Sequence, residues 1–392
     1  MHAPAQTESP AIAPLASEAR RGAGVGLLSW SHFLNDGAAN YLPGILPAVL
    51  VSLAIPLRYA GALVAILVVG QALQVLAGAL ADRFGGRAFL VLGLLGSSLG
   101  AACVGWTRGP VGLLAALVLI GIANSAFHPP AMSGARRAGS GTGERAMAVF
   151  STAGEIGRGV WPLLASLVVT AWGLGSLWVL TLAAFVTLPL LWKKTRDAPA
   201  HRTKVRAWQG VKDAGRPLQA LVAYSSMRSV VITGVSTFVP LWWEAHGGNL
   251  ETGAALITVM LLVGVVGNLG AGFLAARIGR RGLVIGGTAL GCALLIAMLK
   301  SQGIWIWVSI AGLGIALFAT LPITVVMGQD LLPRHPSLGS GLALGFSNAL
   351  GALGVGALGL LAARWGAAGV LWGIEACGLV AIALAALLPA AT

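Results

Sequence analysis

The chain has 392 residues, 57% of them apolar and only 9% charged, with 56 glycines and a net charge of +13. A soluble domain carries about 25% charged residues, so this chain could not cover a globule of its length with hydrated side chains, and a soluble enzyme is excluded. The basic excess would suit a nucleic-acid partner, but it accompanies long apolar runs, and a nucleic-acid partner is excluded as well.

Residues 1–22 are polar and rich in Pro and Ala, with no apolar stretch ending in a cleavage site. They read as a disordered cytoplasmic tail, not a signal peptide. Twelve apolar runs follow, each near the roughly 20 residues that cross a hydrocarbon layer. They lie at 25–52, 59–81, 87–106, 111–134, 146–170, 174–192, 217–243, 252–276, 282–300, 304–328, 338–362 and 367–388, and are called spans one to twelve below. The long connection, KKTRDAPAHRTKVRAWQGVKDAGR (193–216), reads as a hydrated linker between a six-helix half at 23–192 and another at 217–392. Cys103, Cys292 and Cys377 lie far apart inside apolar runs without CxxC spacing. Neither a disulfide framework nor a zinc site is expected, and no cofactor either.

An ionisable group inside the bilayer is expensive unless paired or hydrated, which makes each one a functional candidate. In span one, His32, Asn35, Asp36 and Asn40 recur at helical spacing on one face with Pro43 and Pro47. The stripe reads as the wall of a central cavity in which Asp36 takes and releases a proton; the alternative is that Asp36 bonds permanently to a neighbouring helix. In span four, His128 stands beside Pro129 and Pro130, with Asn124 one turn earlier. His128 is either a packing residue or a proton relay. In span five, Ser151, Glu155, Arg158 and Pro162 share a face. Glu155 and Arg158, three residues apart, form either a self-neutralising pair or a switch that substrate or proton breaks. Arg228 in span seven has no acidic neighbour within four residues. It needs an anion, which is Asp36 of the equivalent span one or an anionic group of the substrate. Gln71, Gln74, Asn268 and Asn348 line a path or bond between helices. Glu375 in span twelve has no assigned role.

Orientation follows from counting Lys and Arg under strict alternation. Nineteen fall on the linker's side, four on the other, and Arg158 and Arg228 lie within spans. That asymmetry supports twelve crossings with both termini cytoplasmic. Trp106, Trp172, Trp192, Trp242, Trp243, Trp305 and Trp365 stand at span ends, where an amphipathic indole prefers the interface.

The halves also repeat. GALADRFGGR (78–87) after span two returns as GFLAARIGRR (272–281) after span eight, at an offset of 194 residues, and Phe150-Ser151 returns as Phe346-Ser347. The first stretch resembles the loop-2/3 signature of the major facilitator superfamily, with the second copy where that family places it. The resemblance implies an all-α membrane protein of twelve transmembrane helices in two pseudo-symmetric halves that rock about a midplane site. It also implies that Asp82, Arg83 and Arg87 gate by locking the outward-open state. SHFLND (31–36), AFHPPA (126–131), MRSVVITGVSTFVP (227–240) and GQDLLPRHPSLGSGLALGF (328–346) are similar to segments of the fosmidomycin-resistance-type branch. That implies proton-coupled efflux of a drug or small anion from the bacterial inner membrane, although AFHPPA lacks the acidic residue expected after its first proline. Gln329 and Asp330 are expected at a contact between halves. The expected partners are a small molecule, protons and lipid, with the chain acting as a monomer. No GxxxxGK[ST] loop suggests an ATP-driven pump.

Overall fold

The computed structural model describes residues 12–138, 143–195 and 207–389. Every regular element among them is helical. In hydrocarbon no water is present to satisfy a free backbone amide, so an apolar chain must satisfy its own.

Nine of the described helices are long and apolar enough to cross a membrane: Gly86–Val104, Pro110–Ala138, Leu174–Lys194, Val211–Ala245, Leu250–Ile278, Arg280–Lys300, Ile304–Leu331, Leu338–Gly359 and Ala362–Ala385. They correspond to spans three, four and six to twelve. Spans one, two and five are helical too, but carry breaks or charges. Span one runs from Ile12 to Asn40, interrupts at Tyr41, and resumes over Leu42–Ser52. Pro43, at the start of the second segment, has no amide hydrogen to give the preceding turn. Span two is cut by a 3-10 segment, Gly70–Leu73, and span five, Gly143–Trp172, carries Glu155 and Arg158. A π-helical turn, Leu342–Phe346, interrupts span eleven.

Three sequence expectations change. Helix begins at Ile12, inside the stretch read as a disordered tail, while residues 1–11 lie outside the described part. Of the linker, helix reaches Lys194 and starts again at Ala207; 196–206 lie outside the described part. Gln329 donates from Nε2 to Ser340 Oγ at 2.9 Å, and Asp330 pairs with Arg280, so both bond within the second half and not across halves.

The packing repeats. Span three lies on four and span one on five; likewise nine lies on ten and seven on eleven. The repeated motif agrees at the level of backbone angles. Gly85 and Gly279, 194 residues apart, both take positive φ, 102° and 77°, and each ends one helix and starts the next. Contacts between halves gather on the side away from the linker. There Leu42–Ser52 meets spans seven and eight, and Gly61 lies so close to Val355 that a Cβ on it would overlap the carbonyl. On the linker side, Gln74–Phe84 packs on spans three and four, and Thr320–Leu331 on elements of its own half.

Candidate functional site

The site grows from the face of span one. Asp36 is almost wholly buried, its side chain 2% exposed, and three cation-capable groups converge on it. His128 Nε2 stands 3.1 Å from Oδ1, Arg158 Nη2 donates to Oδ2 at 3.1 Å, and His32 Nε2 is 3.4 Å from Oδ2. His32 belongs to the same helix, one turn earlier; His128 and Arg158 arrive from spans four and five. Arg158 also reaches Glu155 at 3.6 Å. Arg158 and Glu155 keep 35% and 21% of their side chains exposed, so the cluster meets open space through this pair and not through Asp36.

The imidazoles are oriented by backbone. Nδ1 of His32 lies 2.8 Å from the Phe150 carbonyl, and Nδ1 of His128 lies 2.9 Å from the Asn124 carbonyl. A carbonyl only accepts, so both Nδ1 atoms carry hydrogen, and in each neutral ring Nε2 is a bare lone pair. The two Nε2 atoms are 3.3 Å apart and both face the Asp36 carboxylate. Lone pairs in that arrangement repel unless a positive charge sits among them. Counting Asp36 and Glu155 as anions and Arg158 as a cation, the cluster with neutral imidazoles is one positive charge short. His32 also stacks on Phe150, with ring centroids 4.0 Å apart and planes 12° off parallel. Gly154 makes room for it, because a Cβ there would overlap the His32 ring. Sequence reasoning misses both Phe150 and Gly154. The signals for them are slight: the Phe150-Ser151 repeat and the glycine preceding Glu155.

The other candidates are placed as follows. Asn35 is buried, with Nδ2 3.4 Å from Asp36 Oδ1. Asn40 Nδ2 donates to the Asp36 carbonyl at 2.8 Å, so it serves its own helix and does not reach the carboxylate. Asn124 is buried, and its backbone, not its amide, touches the site. His128 contacts Asp36, through Nε2 to Oδ1. The expectation that the span-one stripe lines an open cavity is corrected: His32, Asn35 and Asp36 are buried behind spans four and five. An apolar groove of about 650 Å³, lined by Ala62, Ile66, Val69, Leu73, Ile122 and Leu353 among others, touches none of them.

The expected Asp36–Arg228 pair is not formed. Asp36 is engaged by residues of its own half, and Arg228 is fully buried in the other. Arg228 Nη1 donates to Thr324 Oγ1 at 2.7 Å and its guanidinium lies 5.8 Å from the Tyr224 ring. Its Nε and Nη2 have no hydrogen-bond partner among the described residues. Asn348 is half-buried on span eleven. Glu375 is buried on span twelve beside Cys292 of span nine, outside the cluster. At the linker-side edge, Arg83 lies over Phe84 and Arg87 over Trp192, 3.8 Å from its ring centroid. The side chain of Asp82 lies outside the described part.

A helical membrane bundle with an internal repeat and a buried ionic cluster at the meeting of spans one, four and five defines a multi-pass transporter. The family model of the Major Facilitator Superfamily matches residues 28–355, and the chain belongs to that superfamily. It is 25% identical over 345 residues to the uncharacterized MFS-type transporter YfnC of Bacillus subtilis strain 168, covering 84% of each chain. It is 25% identical over 358 residues to the fosmidomycin resistance protein of Escherichia coli strain K12, covering 88% of each. Among solved structures, a point mutant of the nucleoside transporter NupG superposes with a TM-score of 0.80 at 13% identity, over 94% of this chain and 100% of that one. A bacterial homolog of the human lysosomal transporter Spinster, inward-facing and occupied, gives 0.76 at 16% identity, over 94% and 96%. These likenesses establish the fold.

Proposed function

We propose that the protein is a proton-coupled exporter of a small organic anion or amphiphilic drug. In this reading it has twelve crossings, two halves joined by a cytoplasmic linker, and both termini in the cytoplasm of a bacterial inner membrane. The observation that carries the proposal is the Asp36 cluster: buried lone pairs and carboxylates one positive charge short, reaching open space chiefly through Arg158 and Glu155. A proton entering from the outer side fills the deficit. It neutralises Asp36 or charges an imidazole, and either weakens the hold on Arg158. The guanidinium is then free to pair with Glu155 or with an anionic group of a substrate arriving from the linker side. Arg228, a buried cation with unused donors, supplies a second anion contact once the halves rearrange. That rearrangement also uncovers His32, Asn35, Asn40, Asn124, His128 and Asn348 as the polar part of the path, which Asp82, Arg83 and Arg87 gate on the linker side. The name of the Escherichia coli relative, a fosmidomycin resistance protein, supports efflux and a drug-sized cargo.

The test is uptake into everted vesicles energised by an inward-acid pH gradient. Wild-type protein accumulates substrate, and Asp36→Asn does not. Full activity in that variant would remove Asp36 from the mechanism. An importer or uniporter of the same fold is the other reading, and substrate-induced alkalinisation outside intact cells would favour import.

A further inference from the structure

We infer that His32, Asp36 and His128 form a binding site for a divalent transition-metal ion of the zinc type, closed on three sides and open at a fourth. The inference rests on the same cluster as the transport reading and adds an inhibitory ligand to it, because metal and coupled proton require the same lone pairs.

Donor spacing is the first support. Ligand atoms held about 2.0–2.1 Å from zinc at tetrahedral angles stand about 3.3 Å apart. Two of the three separations match it, 3.1 Å for His128 Nε2 to Asp36 Oδ1 and 3.3 Å between the two Nε2 atoms, whereas the 3.4 Å contact of His32 Nε2 is to the other carboxylate oxygen, Oδ2. One donor from each residue can be chosen so that all lie within 4.8 Å of one another. Two imidazoles and one carboxylate match the ligand set of open zinc sites, in which water or an anionic oxygen takes the remaining position.

The surrounding contacts are the second support. A ligating histidine ordinarily gives its other ring N–H to a carbonyl or carboxylate, which fixes its tautomer and aims the free nitrogen at the ion. Both histidines do this, to the carbonyls of Phe150 and Asn124. Arg158 holds Asp36 Oδ2, which leaves Oδ1 to the ion. Arg158 also opposes a second cation electrostatically, and that gives the inference a signature of its own. Removing its charge should tighten metal binding, an effect no adventitious surface site would share.

The experiment uses the full chain, purified in detergent with any affinity tag removed. Zn²⁺ binding is followed by calorimetry and Co²⁺ binding by the visible bands of a tetrahedral centre. We expect a single site per chain. His128→Gln and His32→Gln should each weaken it about tenfold or more, and Arg158→Gln should strengthen it. His32 is packed against Phe150, so His128→Gln, whose side chain is partly exposed, keeps the test valid if the His32 variant fails to fold. No binding, or binding unchanged in His128→Gln, overturns the inference. Gradient-driven uptake is measured separately in EDTA: uptake without any zinc binding defeats only the metal site, and zinc binding without gradient-driven uptake defeats only the proton reading.

Discussion

The two halves accommodate buried charge in different ways. In the first, Asp36 is surrounded by two imidazoles and a guanidinium, and Glu155 takes up the other side of that guanidinium. In the second, Arg228 is more deeply buried, yet a threonine hydroxyl and an aromatic ring are its described contacts. A buried pair offsets much of its own desolvation, whereas a buried lone charge does not. The first arrangement therefore has its charges paired within the half, and in the proposed function it changes by one proton. The second leaves guanidinium donors unused, which the proposed function fills with an anionic group of the substrate. Pseudo-symmetry of fold has thus not produced symmetry of chemistry, and the proposed function assigns the coupling ion to the first half and the cargo's anion to the second.

The largest effect that would test this division is on Asp36. Asp36→Asn should reduce gradient-driven uptake in everted vesicles to background, because the amide keeps the shape but cannot exchange charge. Arg228 should behave in the opposite sense for stability and function. Arg228→Met should abolish substrate binding while leaving the thermal unfolding temperature unchanged or raised, since replacing a poorly paired buried charge by an apolar side chain is often stabilising by about 1–4 kcal/mol. A fall in that temperature would show that Arg228 is a structural element, and the comparison between the halves would collapse.

Gly154→Ala is a smaller and more local test. In an ordinary helix, alanine would stabilise by up to about 1 kcal/mol relative to glycine. Here the added methyl meets the His32 ring, so the expected outcome is a loss of roughly 1–3 kcal/mol from overpacking. Denaturant or thermal unfolding would measure it, together with a lower uptake rate. The smallest effect is expected at the exposed Arg280–Asp330 pair. Asp330→Asn should change stability by less than about 1 kcal/mol and leave substrate affinity unchanged, whereas a large change in affinity would place the pair in the gate.

Much of the architecture can be read directly. The nine helices that pass the length and apolarity test all fall on expected runs. The repeated glycines at 85 and 279 are conformational as well as textual. Span one is legible as a polar stripe, and Glu155–Arg158 as a pair, because both lie within a turn or two on one helix. Sequence reasoning assigns the wrong partner where two helices have to be related. Matching Asp36 to Arg228 relies on the equivalence of spans one and seven in the repeat, and equivalence says nothing about distance.

The sequence by itself determined that the chain belongs in a membrane, that its backbone closes on itself as helices, and that its halves are copies. These follow from composition and from patterns a few residues long, or from self-similarity along one string. Only the tertiary structure decided that His128 and Arg158, 92 and 122 residues from Asp36, are the groups that meet it, and that the stripe is buried instead of wet. Those outcomes depend on the rotation, tilt and breaks of whole helices packed against one another. A period of 3.6 residues fixes which side chains share a face, but not what that face meets.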